Sequence, residues 1–476
     1  MNVASPTIQT EQPQQPRRFL WFYLPDLSML KRVPVRVALL ANFLSGLAIG
    51  TLSYGAMVHL ARSGGSQFEV ALVSAASFLP GLVLGMQGGM IADSLPKRLA
   101  LAITYLLQAG LCIGVPLLLG ADFIVLLFLI LVVSTLAQIS IPAVRSVIPL
   151  IAKPQELAVA AMLMALTTST GSAIGQAFFA TILIRLGGIT LVMIVGGVLL
   201  LLAGLRVFGL PDEGGVKVGD ALRSVDWRPK GIGVRPTAEW IAGHRVVATM
   251  VLLGAMVSAL FEAFAAMMPG FVGSVLRVDP ADTIFVFATI PIGFLAATFA
   301  APWLMNKFGE RPVMLVSVVA FGGGVFLFGL IDQIAPFLAP FSPLRLLALF
   351  GAQPNEKVLA AGLLTIPAYA GFTAAGAAAQ TYINRRLPVV KQAGVFGIES
   401  TLRSALAIVA VLTFGVLATI FGTRLVFLIA PFGMVLLLIG MIIGSYRFSE
   451  EKAPGGLEVL ASFWEEGEIQ ESLSEE

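Results

Sequence analysis

Glu262 stands inside a strongly apolar stretch, between Phe261, Phe264, Met267 and Met268. An ionised carboxylate there is costly unless it is paired or protonated. Such a group suits one of two kinds of chemistry, exchange of a proton as water access alternates or attraction of a cation. His59, at the end of another apolar stretch, is a candidate partner. Asp93, Arg145 and Glu399 also fall near the ends of apolar stretches, and Arg403 follows Glu399 by one helical turn, where the two can pair. Pairs of this kind can form in one arrangement of the molecule and break in another. The sequence has no Gly-x-x-x-x-Gly-Lys-Ser/Thr phosphate loop, no His/Cys cluster for a metal and no nucleophile beside a recognisable base. Enzyme chemistry, a cofactor and a metal are therefore not expected.

The elements that must position these charges are twelve apolar stretches, at about 37–60, 67–91, 99–120, 122–144, 157–183 and 187–206, then 246–270, 281–304, 313–334, 357–382, 393–421 and 424–446. Each is long enough to cross a hydrocarbon core as a helix, the one open-ended element that satisfies its own peptide groups in lipid. Hydrophobic residues make up 57% of the chain and charged ones 12%, with a mean hydropathy of +0.92. The fold class expected is an all-α membrane protein of twelve transmembrane helices in two six-helix bundles, 37–206 and 246–446.

Net charge is only +3, so no nucleic-acid surface is read into the basic pI of about 9.0. Most lysines and arginines fall in alternate loops, an asymmetry that orients a multi-pass protein with both termini in the cytoplasm and places it in the cell (inner or plasma) membrane. Residues 1–36 form a cytoplasmic leader without a signal-peptide pattern, whose Arg17 to Arg36 part is either an interfacial helix or an ordinary juxtamembrane run. Residues 207–245 are a polar cytoplasmic linker, and 447–476 an acidic tail, regulatory or merely solubilising. Residues 335–356, with Pro336, Pro340 and Pro343, fall on the opposite side, where Leu344 to Phe350 should lie on the membrane rather than cross it. Cys112, the one cysteine, reads as a small buried packing residue.

Between the second and third stretches the chain runs Gly88-Gly89-Met90-Ile91-Ala92-Asp93-Ser94-Leu95-Pro96-Lys97-Arg98. Gly89 allows close packing, and Asp93 can meet the positive end of a neighbouring helix. A degenerate copy, Pro302 to Arg311, occupies the matching place in the second half. A second repeated element pairs Gln138 to Pro142, Arg145 and Pro149 with Gln380 to Arg386 and Pro388. These residues resemble the signature loop of the major facilitator superfamily, Gly-x-x-x-Asp-Arg-x-Gly-Arg-Arg, with Ser94 and Pro96 as departures. The turn read at Pro142 to Arg145, followed by Pro149 and Glu156, is similar to the branch holding enterobactin exporters and macrolide-efflux proteins. Gly171 to Gln176 resembles an antiporter motif, Gly-x-x-x-Gly-Pro, with Gln176 in place of the proline.

The resemblance implies two pseudo-symmetric bundles and a site near the bilayer midplane. It implies a conformational switch at Gly89, Asp93, Lys97, Arg98, Arg145, Glu399 and Arg403, with Asn306, Arg385 and Glu156 as the pseudo-symmetric set. The first, fourth, seventh and tenth spans would line a cavity through Asn42, Ser53, Tyr54, Ser134, Gln138, Ser258, Thr365, Tyr369, Thr373 and Gln380. Glu262, with His59, would couple protons or meet substrate. The leading reading is a proton-coupled, secondary active exporter of an amphiphilic small molecule, drug- or siderophore-like, acting as a monomer in the bilayer. A translocator of lysophospholipid or another lipid-like molecule, and a non-transporting receptor or scaffold, remain alternatives.

Overall fold

The computed structural model describes residues 27–153, 156–211, 238–241, 244–350, 354–387 and 389–448. The early leader, most of the linker and the acidic tail thus lie outside the described residues. The long helices of the first half are α1 (Val33–Arg62), α2 (Gln67–Ser94), α3 (Lys97–Leu118), α4 (Phe123–Ile151), α5 (Leu157–Ile174) and α6 (Ala180–Val207). Those of the second are α7 (Arg245–Ser274), α8 (Ile290–Phe308), α9 (Glu310–Gly329), α10 (Glu356–Arg386), α11 (Val389–Phe421) and α12 (Thr423–Phe448).

A single π-helical turn, Gly175–Phe179, joins α5 to α6. The break that separates the fifth and sixth crossings comes later, at Gly187 and Gly188, where Gly188 has φ 68°. A continuous apolar stretch of 42 residues, Leu166–Val207, is thereby folded into two crossings. Together with the ten other long apolar helices this makes twelve.

Local sequence explains the ends. Ser66 and Glu69 form a reciprocal capping box at the start of α2. Asn355 caps α10, accepting from the Val358 amide at 2.8 Å and donating to the Leu276 carbonyl at 3.2 Å. Only Gly309, at φ 88°, separates α8 from α9. Pro142 and Arg145 do not form the expected turn: α4 runs on to Ile151. A proline inside a membrane helix is tolerable because neighbouring groups can satisfy the carbonyl it leaves free. Likewise α2 continues through Asp93, leaving Leu95 and Pro96 as the turn before α3.

Packing inside the halves repeats with a shift of six helices. In the first, α1 packs on α5 and α6, α2 on α4, and α3 on α4 and α6; in the second, α7 packs on α11 and α12, α8 on α10, and α9 on α10 and α12. The two bundles are therefore pseudo-symmetric. Between them the symmetry fails. The contact of α2 with α11 is extensive, whereas α8 reaches the first half through its lead-in, residues 280–287, which packs on α1, the π turn and the start of α6.

The face where α1 begins and α12 ends is called here the terminal face, and the opposite one the distal face. On the distal face, the helix Ile331–Leu338 and the turns Ala339–Phe341 and Pro343–Phe350 connect α9 to α10, exposing Phe337 and Phe341. Asp332 there binds Lys357 of α10 and Arg424 of α12, both at 2.7 Å.

Candidate functional site

Glu262 lies along α7 with Gly254 and Ser258, at the helical spacing that puts all three on one face. Gly254 approaches α11 so closely that Oε1 of Glu399 is 3.4 Å from where a Cβ on that glycine would stand. Since α7 and α11 run in the same direction, this contact sets the register. Ser258 falls level with Arg403, and Glu262 about one turn further toward the distal face. Arg403 is thus placed between two acids, and its charge acts on both. Tyr369 of α10 is within the field of Glu262. It also meets Phe261 edge-on at 5.3 Å, while Phe261 stacks on Phe372 at 4.0 Å. Glu262, Glu399, Arg403 and Tyr369 form one cluster of charge and aromatic surface. His59 is not part of it among the described contacts. It sits near the distal end of α1, where its carbonyl accepts from Ser63.

The residues read as cavity-lining divide into two groups. Ser53, Ser134, Gln138, Ser258, Tyr369 and Thr373 are half-buried and Gln380 is exposed. Ser258 bonds its own helix at the Gly254 carbonyl, 2.9 Å away, and Gln138 faces Gly81 of α2. The other group faces neighbouring helices. Asn42 is buried and donates to the Met164 carbonyl at 2.7 Å and to Thr168 at 2.6 Å, so it points at α5 and not into a cavity. Thr365 is buried against the lead-in to α8, donating to the Val286 carbonyl at 3.0 Å. Tyr54 is buried under the distal face with its ring 5.4 Å from Phe287.

Gly171, Gly175 and Gln176 stand at a helix seam. A Cβ on Gly46 would come within 2.7 Å of the Thr168 carbonyl, and one on Gly171 within 3.0 Å of the Leu47 amide. These glycines let α1 and α5 touch backbone to backbone. Gln176 donates to Ser172 at 3.3 Å from inside the π turn, at the place where the antiporter motif has its proline.

Two ion pairs described on the terminal face each lie within one half. The side chains of Gly89, Asp93 and Arg145 lie outside those described. Lys97 and Arg98 open α3, with Arg98 over the Phe208 ring at 5.7 Å. Arg385 of α10 donates to Asn306 at 3.2 Å and to Glu310 at 3.0 Å, so the acid beside Arg385 in this second set is Glu310, which is buried. Glu156 joins neither residue. It pairs with Arg32, whose guanidinium also donates to the Ile151 carbonyl at 3.1 Å. Hydrogen bonds from Arg32 and from the Lys153 amide hold the Glu156 carboxyl below the usual range, so this tie between leader and first bundle is intact at neutral pH and is lost only in acid.

The distal face carries a set of bonds between halves that the sequence reading missed. Arg62 at the end of α1 pairs with Asp279 at 3.1 Å, and Arg185, just before the Gly187 break, pairs with Asp282. On the other side of the molecule the Phe68 amide donates to Thr419 of α11 at 3.0 Å, and Gln67 lies against Gly270 of α7. The signal was available: Arg62 and Arg185 are among the few bases predicted for this face, and Asp279 and Asp282 are acids three residues apart in one of its short loops. The described halves are therefore joined at their distal ends.

No curated protein matches the chain. Among solved structures, the nucleoside transporter NupG superposes with a TM-score of 0.62 at 14% identity, covering 87% of this chain and 99% of that one. A bacterial homolog of the human lysosomal transporter Spinster, in an inward-facing and occupied conformation, gives 0.64 at 13% identity, covering 88% and 98%. A D-xylose-proton symporter gives 0.59 at 13% identity, covering 87% and 96%. At such identities the likeness carries the fold alone. The family profile of the Major Facilitator Superfamily, however, matches residues 38–353, and with twelve helices in two bundles related by a six-helix shift, the chain belongs to that superfamily of membrane transporters.

Proposed function

We propose that the protein exports an amphiphilic small molecule in exchange for protons, by alternating access between its two halves. The observation that carries this reading is the cluster of Glu262, Tyr369 and Arg403 well inside the membrane, with Glu399 one turn nearer the terminal face. A carboxyl with an arginine as neighbour gives two stable arrangements. When Glu262 is ionised it holds Arg403; when it is protonated, Arg403 is left to Glu399. The stacked rings of Phe261 and Phe372 beside it suit an apolar guest. The positive-inside asymmetry supports a cytoplasmic terminal face, and joined distal ends then correspond to an inward-facing state.

Glu262→Gln in proteoliposomes with an imposed pH gradient tests the proposal, against a panel of lipophilic cations, siderophores, macrolides and lysolipids. Uphill transport should disappear while binding or exchange of the same compound persists, because the amide mimics the protonated acid. If the variant loses cationic compounds but still drives neutral ones uphill, Glu262 selects substrate and does not couple protons. Wild-type uphill transport of every compound would eliminate both roles.

A further inference from the structure

We infer that the distal closure is built as a latch on one side and a pivot on the other, so that the molecule opens outward by releasing the contacts of the α8 lead-in while α2 stays against α11. The inference rests on the alternating-access reading and concerns how the two halves part.

The two seams are chemically unlike. The latch seam joins the segment 279–287 to α1, the π turn and α6. Its bonds are two ion pairs between arginines of the first half and aspartates of the second, Arg62 with Asp279 and Arg185 with Asp282. Their side chains are 44%, 34%, 45% and 21% exposed. Water and salt therefore reach them, and exposed pairs of this kind weaken as ionic strength rises. Beneath them lie Tyr54, Phe287 and Thr283, and the π turn of α5. A π turn is rare inside a helix and is frequent at functional sites.

The pivot seam joins α2 to α7 and α11, and it contains no ion pair among the described residues. Its fit is steric. Gly270 receives Gln67, and Gly415 receives Ala71, which is fully buried. Any Cβ on either glycine would overlap α2. The contact continues inward to Gly81, where the Ser404 hydroxyl is 2.9 Å from the place of a Cβ. Gly81 and Gln67 are 14 residues apart in α2, so this seam runs about 20 Å along the helix. The latch seam involves only the distal lead-in to α8. A long, closely packed seam beside a short ion-paired one directs motion to the ion-paired side.

The lone cysteine is fully buried, so a Cys112→Ala background accepts paired spin labels on the full chain in lipid nanodiscs. One pair, Leu186→Cys with Val278→Cys, spans the latch seam. The other, Phe68→Cys with Phe421→Cys, spans the pivot seam. Distances are read without substrate or proton gradient, so failure here is separate from failure of the coupling role given to Glu262.

Asp279→Asn with Asp282→Asn should raise the open-to-closed ratio across the latch pair roughly 2- to 25-fold, since each exposed ion pair is worth about 1.5- to 5-fold in an equilibrium. The pivot distance should hold. Raising salt from about 0.01 to about 1 M should act in the same direction on the wild type and not on the carboxamide variant. The exchange Arg62→Asp with Asp279→Arg should restore closure relative to Arg62→Asp alone, which separates a lost latch from a misfolded one. Gly270→Val should instead lengthen the pivot distance, with no response to salt. Both seams opening in step on loss of the aspartates, or neither responding, would overturn the inference.

Discussion

Asn42 illustrates what a single residue's type and spacing reveal and what they hide. Asn42, Gly46 and Gly50 recur at one face of α1, and a polar, small-residue stripe is what a water-filled pathway and a tight helix seam both require. In this protein it is the seam: the amide bonds α5 while the glycines admit its backbone. Asn42→Ala should therefore lower the stability of the first bundle by about 1 kcal/mol, the scale of interhelical hydrogen bonds in membranes, and leave substrate affinity unchanged. Thermal unfolding in detergent beside equilibrium binding checks it; a large affinity loss with unchanged stability would return Asn42 to the pathway. Glu262 was legible because one carboxylate among phenylalanines and methionines has few bland explanations. Glu310 was not, because an acid following a glycine at a helix start reads as a dipole partner, and only the fold shows Arg385 above it. Asp279 and Asp282 were legible as acids of a short loop on the face of Arg62 and Arg185, but only the fold shows which base meets which acid.

At the scale of elements, hydropathy located every crossing, since the cost of an unbonded peptide group in lipid leaves no other arrangement for runs of this length. Ends were less legible. α2 and α4 each extend past the predicted loop, because Asp93 and Arg145 are compatible with a helix reaching the interface and prolines inside membrane helices do not stop them. The π turn leaves no hydropathy trace at all. Gly309 is the opposite case, a position where one residue turns the chain between α8 and α9 at φ 88° and ψ 167°, a region almost closed to side chains. Gly309→Ala should cost about 1–3 kcal/mol and tilt α9 against α8, spoiling the alignment of Asn306 and Glu310 around Arg385. The expected readouts are a lower melting temperature and easier proteolysis near residue 309. Unchanged melting would mean that the turn can be made another way.

For the molecule as a whole, repetition was legible as two motif copies, and the shifted packing of helices is its physical form. The inequality of the two seams was not, because it arises from tertiary contacts between segments hundreds of residues apart. The second bundle is tied together distally by Asp332, whose carboxyl is held below its usual range by the hydrogen bond from Lys357 and by the nearby charges of Arg424 and Arg277. An acid shifted in this direction stabilises the fold above its ordinary range, near pH 3.9, and its contribution is lost as pH falls through the depressed folded value. The bundle's melting temperature should be level from neutral pH to about pH 4 and fall below it. Asp332→Asn should remove that acid limb and lower neutral stability by no more than about 1 kcal/mol after solvent screening. A pH profile of unfolding for the two proteins compares them directly.

The same carboxylate also sets an order of assembly. Arg424 follows Asp332 by 92 residues, which at ribosomal speeds of about 5–20 residues per second is roughly 5 to 20 s of synthesis. During that interval α10 and α11 are made while Asp332 waits for its last partner. The distal surface of the second bundle is thus completed only when the final crossing emerges, and a chain that stops before α12 holds Asp332 through Lys357 alone.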